Sequence, residues 1–167
     1  MQDIICTTDL IRTANLVLEE SGTPQESWAA DIFPFQRQHL MCFLHLPTQY
    51  FTMIGPFPKK DLRDIRTHFR DALWSALHTD GFESYLIDNL MGRFESMGLY
   101  AGPLPDAHLN LFRTIETGFG LYAKAVGKSV DLDEFSVQIR NAQGVQLAAV
   151  TPRNTFELWA QSTSVDD

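Results

Sequence analysis

The apolar positions change period several times along the chain. Gln-Asp-Ile-Ile-Cys at residues 2–6 predicts a short first strand. Thr7, Thr8 and Asp9 carry oxygens suited to capping a helix that presents Leu10, Ile11, Ala14 and Leu18. Ser-Gly-Thr-Pro-Gln-Glu then reads as a loop. Three apolar runs follow, Trp28–Phe35, Leu40–Leu46 and Tyr50–Ile54, with turn-length gaps between them, the pattern of an antiparallel meander. Gly55-Pro56-Phe57-Pro58 is expected to end it, because proline lacks the N–H of a ladder.

From Lys59 to Thr79 the period becomes helical, with Leu62, Ile65, Phe69, Ala72, Leu73 and Ala76 on one side. Thr79-Asp80-Gly81 stops it. Ser84–Phe94 predicts another helix, and Leu99-Tyr100-Ala101 a short strand inside a loop. Asp106 starts a further helix through Phe112, Phe119 and Val126, weakened by Gly118 and Gly120. Residues 130–139 fit a strand or a loop. Thr151-Pro152 opens a last helix with Phe156, Trp159 and Ala160 inward. Strands gathered early and helices late predict an α+β fold: an antiparallel sheet of about three to five strands with helices on one face. Residues 1–160 are expected to form one domain and 161–167 a flexible C-terminal tail.

Composition narrows the function. With 44% hydrophobic and 20% charged residues the chain is neither disordered nor fibrous. Thirteen Lys and Arg against twenty-one Asp and Glu give a net charge of −8. Duplex-binding proteins need a basic face, so a protein partner is expected and nucleic acid is the less favoured one. Cys6 and Cys42 are too few for a disulfide scaffold and fit a reducing cytoplasm. Neither a signal peptide nor a membrane span is legible.

On the helix Lys59–Thr79, Lys59, Arg63, Arg66 and Arg70 fall together on one flank, within an arc of about 60°. That basic edge in an acidic chain is the candidate partner-binding surface, since arginine forks suit anionic groups. Asp61, Asp64, His68 and Asp71 fall on the other flank. His68 with Asp64 or Asp71 is the alternative, the acid–imidazole pair of a hydrolase or nuclease. No nucleophile is identifiable beside it.

Other candidates reduce to structure. His39, Cys42 and His45 have a tempting spacing, but on a strand Cys42 points away and the histidines lie about 20 Å apart. A core cysteine between half-exposed histidines is expected there, with no metal. Asp131, Asp133 and Glu134 lack the glycine and terminal glutamate of a calcium loop. Trp28, Phe33, Phe35, Phe43, Tyr50 and Phe51 are expected to pack a core rather than stack bases. Phosphate-loop, dinucleotide, nucleophile-elbow and zinc-helix motifs are missing, and no cofactor is expected. An apolar small-ligand pocket between sheet and helices is a third possibility.

Ile5-Cys6-Thr7, Trp28, Arg37, Met41–Leu46, Lys59-Lys60-Asp61-Leu62 and Thr151-Pro152 together resemble a family of small bacterial proteins known as a domain of unknown function. The resemblance covers most of the chain and departs around Leu109–Gly120. It implies a plasmid or phage setting and carries no activity or catalytic residue. The resulting expectation is a cytoplasmic, non-enzymatic interaction or regulatory module of a mobile element.

Overall fold

The computed structural model describes residues 2–19, 28–141 and 151–163. Strand β1 (Gln2–Cys6) leads through helix α1 (Thr8–Ala14) to β2 (Trp28–Phe35), β3 (Gln38–His45) and β4 (Phe51–Phe57). Helices α2 (Ile65–Thr79) and α3 (Ser84–Arg93) precede β5 (Met97–Ala101). Helices α4 (Asp106–Val126), α5 (Leu132–Arg140) and α6 (Pro152–Thr163) complete the order. The fold is α+β. Its five strands run β4-β3-β2-β1-β5 in one sheet.

The sheet is mixed rather than purely antiparallel. β2, β3 and β4 form the expected meander, but β1 pairs in parallel with β2 on one side and β5 on the other. Parallel neighbours need a crossover, which α1 supplies for the first pair and α2 with α3 supply on the way to β5. Thr7 caps α1, its hydroxyl accepting from Leu10 N–H, and left-handed Asn15 ends the helix. The β2–β3 turn has only Gln36 and Arg37, with φ of 47° and 66°. Positive φ at both positions is what a tight type I′ hairpin requires.

Helices cover both faces, not one. Alternation along the strands splits the core in two. Ile4, Cys6, Trp28, Ala30, Met41 and Phe43 face α1, α2, α3 and α6. Ile5, Ala29, Phe33, Leu40, Cys42 and Leu44 face Phe112, Ile115 and Phe119 of α4 and Phe135 of α5. Every strand position here is buried on its own side, so one layer of helices could not have satisfied the sheet. Trp28 anchors the first core, fully buried, with edge-on contacts to Phe69, Phe94 and Phe156 at 4.8, 6.3 and 5.8 Å. Such pairs add about 1 kcal/mol each beyond the area they bury.

Three stretches differ from expectation. β4 continues to Phe57, past Gly55-Pro56, with an irregular register opposite His39–Met41. β4 is an edge strand, where a proline need not break a ladder on both sides. Most of residues 130–139, expected as strand or loop, belong to α5, which starts at Leu132: Asp131 accepts from Glu134 N–H and caps the helix, and Phe135 faces the core. α6 runs on through Thr163, whose carbonyl accepts from Arg93, so the helix enters the stretch expected as tail. Residues 164–167 lie outside the described residues.

α5 also closes the β4 edge. Arg140, at its C-terminal end, is buried and forks onto Asp80, with Nε to Oδ2 at 2.8 Å and Nη2 to Oδ1 at 2.7 Å. Its remaining nitrogen, Nη1, donates to the Phe51 carbonyl at 3.2 Å. Tyr50 donates its hydroxyl to the same Asp80 at 2.8 Å. Burial, above all, pushes the Tyr50 phenol well above its ordinary pKa. The end of α2, the start of β4 and the end of α5 thus meet at one buried ion pair.

Candidate functional site

The predicted basic flank is rearranged because residues 59–79 are not one helix. After Pro58 the chain makes a single 3₁₀ turn, Lys59–Asp61, and Leu62 drops into the core. Asp64 then accepts from Thr67 N–H and caps a new helix, α2, starting at Ile65. Lys59 therefore leaves the helical phase of Arg66 and Arg70. It turns instead toward the C-terminal end of α1, where Arg12, Lys59, Lys60 and Arg63 surround a depression of about 600 Å³ floored by Thr13, Ala14 and Asn15. All four cations are exposed. Among the described residues none of the four has an ion-pair partner, and no carboxylate lines the depression. Arg12 was not foreseen: it lies in α1, far from residue 59 in sequence.

Arg66 and Arg70 separate from this group. Arg66 donates through Nε to the Met97 carbonyl at 2.6 Å and pairs with Glu19 at 3.1 Å. Glu19 N–H in turn donates to the Leu99 carbonyl, so Arg66 fastens α2 to β5. Arg70 stays exposed further along α2. With Thr67, Asp71, Trp74 and, from α3, Met91, it lines a second groove of about 330 Å³. Trp74 is 52% exposed and was missed by the sequence reading. The available signal was an aromatic four residues after Arg70 that falls outside the apolar stripe of α2.

The acid–imidazole pair is not assembled. The His68 ring stacks on Phe57 with centroids 4.1 Å apart, and its Nε2–H donates to the Asp61 carbonyl at 2.7 Å. Asp64 is engaged as the α2 cap and Asp71 lines the α2–α3 groove. Neither carboxylate bonds the ring among the described residues. The thiols are no nucleophiles in this setting: burial pushes Cys6 up to about 12 and Cys42 well above its ordinary value.

Cys42 faces the α4–α5 core while His45 lies in the opposite one, against Trp28, Phe156 and Trp159. His45 is fully buried, not half-exposed as expected, because strand parity puts it on the Trp28 face under α6. Its Nδ1 is 2.8 Å from the Thr48 hydroxyl, and its buried Nε2 has no partner among the described residues. Burial lowers its pKa to about 3. Asp131 and Glu134 are used at the start of α5, Glu134 accepting from the Tyr122 hydroxyl at 2.9 Å. Trp28, Phe33, Phe43, Tyr50 and Phe51 are buried and Phe35 half-buried, so these rings pack cores.

Beside the bulged end of β4, Phe35, Leu40, Pro56, Phe119 and Leu132 line a pocket of about 240 Å³. That is below the roughly 300–1,000 Å³ of typical small-molecule sites. Among the described residues no helix is long and apolar enough to cross a membrane.

A family model described as Domain of unknown function (DUF6933) matches residues 3–100. The match runs from β1 into β5 and takes in Arg12, Lys59, Lys60, Arg63, Arg70 and Trp74. Leu109–Gly120 and Arg140 lie beyond it. No curated protein matches the chain.

Proposed function

For a chain that belongs to the DUF6933 family, whose description assigns no activity, we propose a non-enzymatic module that holds an acidic protein partner on the basic rim running from Lys59 to Arg70. The single observation that carries this reading is the depression with four exposed cations and no carboxylate in its lining. In a chain of net charge −8, like charges gathered without partners repel one another until an anionic group joins them. Lys59 and Arg63 belong to the depression and Arg70 extends the rim along α2. Arg66 serves the rim less, since its fork is spent on Met97 and Glu19.

The setting we propose is the cytoplasm, in an accessory or regulatory part of a mobile element. Two free, buried cysteines on opposite core faces suit a reducing compartment. The mobile-element assignment rests on the chain's resemblance to a family of small bacterial proteins.

The test is quantitative capture from the native host with the wild-type chain and a Lys60→Glu/Arg63→Glu variant. The variant is expected to lose the captured partner while its melting temperature stays within about 2 °C, as for exposed substitutions. Undiminished capture by the variant overturns the reading.

A further inference from the structure

Resting on that reading, we propose that the recognised element is an acidic peptide segment with one apolar anchor. Its carboxylates occupy the Lys59–Arg63 depression, and the anchor side chain packs on Trp74 between α2 and α3.

Three observations lead there. The first is a pair of hollows, one just ahead of α2 between α1 and the 3₁₀ turn and one on α2 beside Trp74. The second is a difference in charge. The charged residues lining the first hollow are all cations, whereas Asp71 stands beside Arg70 in the second and offsets its charge. A ligand spanning both is therefore asked to be anionic at one end and uncharged at the other. The third is Trp74, about half exposed on a helix whose other large apolar side chains are buried, with half-buried Met91 opposite. Tryptophan and arginine dominate the energetics of protein interfaces, and an exposed indole gains most when an apolar group covers it.

Length agrees with a short linear segment. Within α2, from Ile65 to Trp74, the axis advances about 14 Å at 1.5 Å per residue, and the depression at Arg63 lies just before that stretch. An extended peptide covers that in about four residues. The groove of about 330 Å³ beside Trp74 has room for one large side chain rather than a helix. A single-stranded nucleic acid also seeks cations and an aromatic ring. Its phosphates would have to continue past Asp71 over a protein of charge −8, so the peptide is favoured.

The experiment is fluorescence anisotropy with the full chain and four labelled probes. These are the octapeptide Asp-Glu-Asp-Glu-Gly-Ser-Phe-Gly, the same sequence reversed, the first peptide with Phe replaced by Gly, and octa-uridylate. One of the two peptide orders is expected to bind. Loss of the probe's Phe and the substitution Trp74→Ala should each weaken it about tenfold, while Trp74→Phe retains most of the affinity. The two losses should not add, because they remove the same contact. Arg63→Glu should also weaken it about tenfold.

If Arg63→Glu weakens binding and Trp74→Ala does not, the anchor proposal falls and the basic-rim reading stands. If neither substitution matters, or the wild-type chain binds neither peptide order, the anchor proposal falls as well. Capture from the host then decides the rim alone. Octa-uridylate binding more tightly than both peptides overturns the proposal in favour of nucleic acid.

Discussion

His45 shows how one buried side chain writes a pH dependence into the whole protein. It is enclosed by Trp28, Phe156 and Trp159, with Nδ1 at Thr48 and Nε2 unpaired among the described residues. The neutral ring fits; the imidazolium does not. Its pKa is near 3 in the folded chain, against an ordinary value near 6.5 in the unfolded one. The unfolded chain therefore binds the extra proton between these values, and stability falls as the pH drops below about 6.5. The slope attributable to this residue approaches 1.4 kcal/mol per pH unit and vanishes below about 3. Urea denaturation of the wild type and His45→Phe at pH 7, 6, 5 and 4 reads it directly. The variant should lose that component of the acid slope, even if removing the Thr48 contact lowers its stability at pH 7. An unchanged slope would mean that His45 becomes protonated within the fold.

At the scale of elements, the decisive junction is where α2, β4 and α5 meet. Asp80 and Arg140 have side chains 0% and 1% exposed. Removing one partner strands a buried charge, so Arg140→Met and Asp80→Leu should each cost about 3–5 kcal/mol in denaturant unfolding. The double variant should recover much of that, because no charge is left behind. Strictly additive losses would show that the two groups contribute independently.

This junction also marks where the sequence stops being legible. The meander, β1, β5, α3, α4 and the start of α6 are all visible as local patterns, because period and capping are local properties. Arg140 is not, because its partner is 60 residues away and its short helix has few large core-facing apolar positions, Leu132, Phe135 and Ile139, to announce it. The break before α2 escaped for a related reason. Leu62 and Ile65 keep helical spacing through it, and only the capping role of Asp64 betrays it. The consequence reached the site. Lys59 and Arg63 were legible as basic surface, but their convergence with Arg12 follows from packing of α1 against the 3₁₀ turn, which no local pattern encodes. Parallel pairing of β1 was equally hidden, since pairing direction depends on how crossovers run.

For the molecule as a whole, the charge distribution matters more than any single cation. A basic hollow on a chain of −8 is a local inversion of the surrounding field, and that field otherwise repels acidic partners. Screening should therefore have two opposing effects, with the short-range attraction dominating once the partner is seated. Raising ionic strength from about 0.1 M to about 1 M shortens the screening length from about 10 Å to about 3 Å. Affinity for the acidic peptide should fall at least about fivefold in the wild type and much less in Arg63→Glu. Equal salt responses would place the ionic contact away from Arg63.

The Arg140 fork has one more effect, outside recognition and outside stability. An unguarded strand margin is a template on which a neighbouring molecule can add its own ribbon. Here the outermost strand has a guanidinium on the Phe51 carbonyl and α5 packed alongside. A foreign strand would have to evict a buried cation before it could begin to zip on, which sets a barrier to fibrillar growth from this side of the sheet.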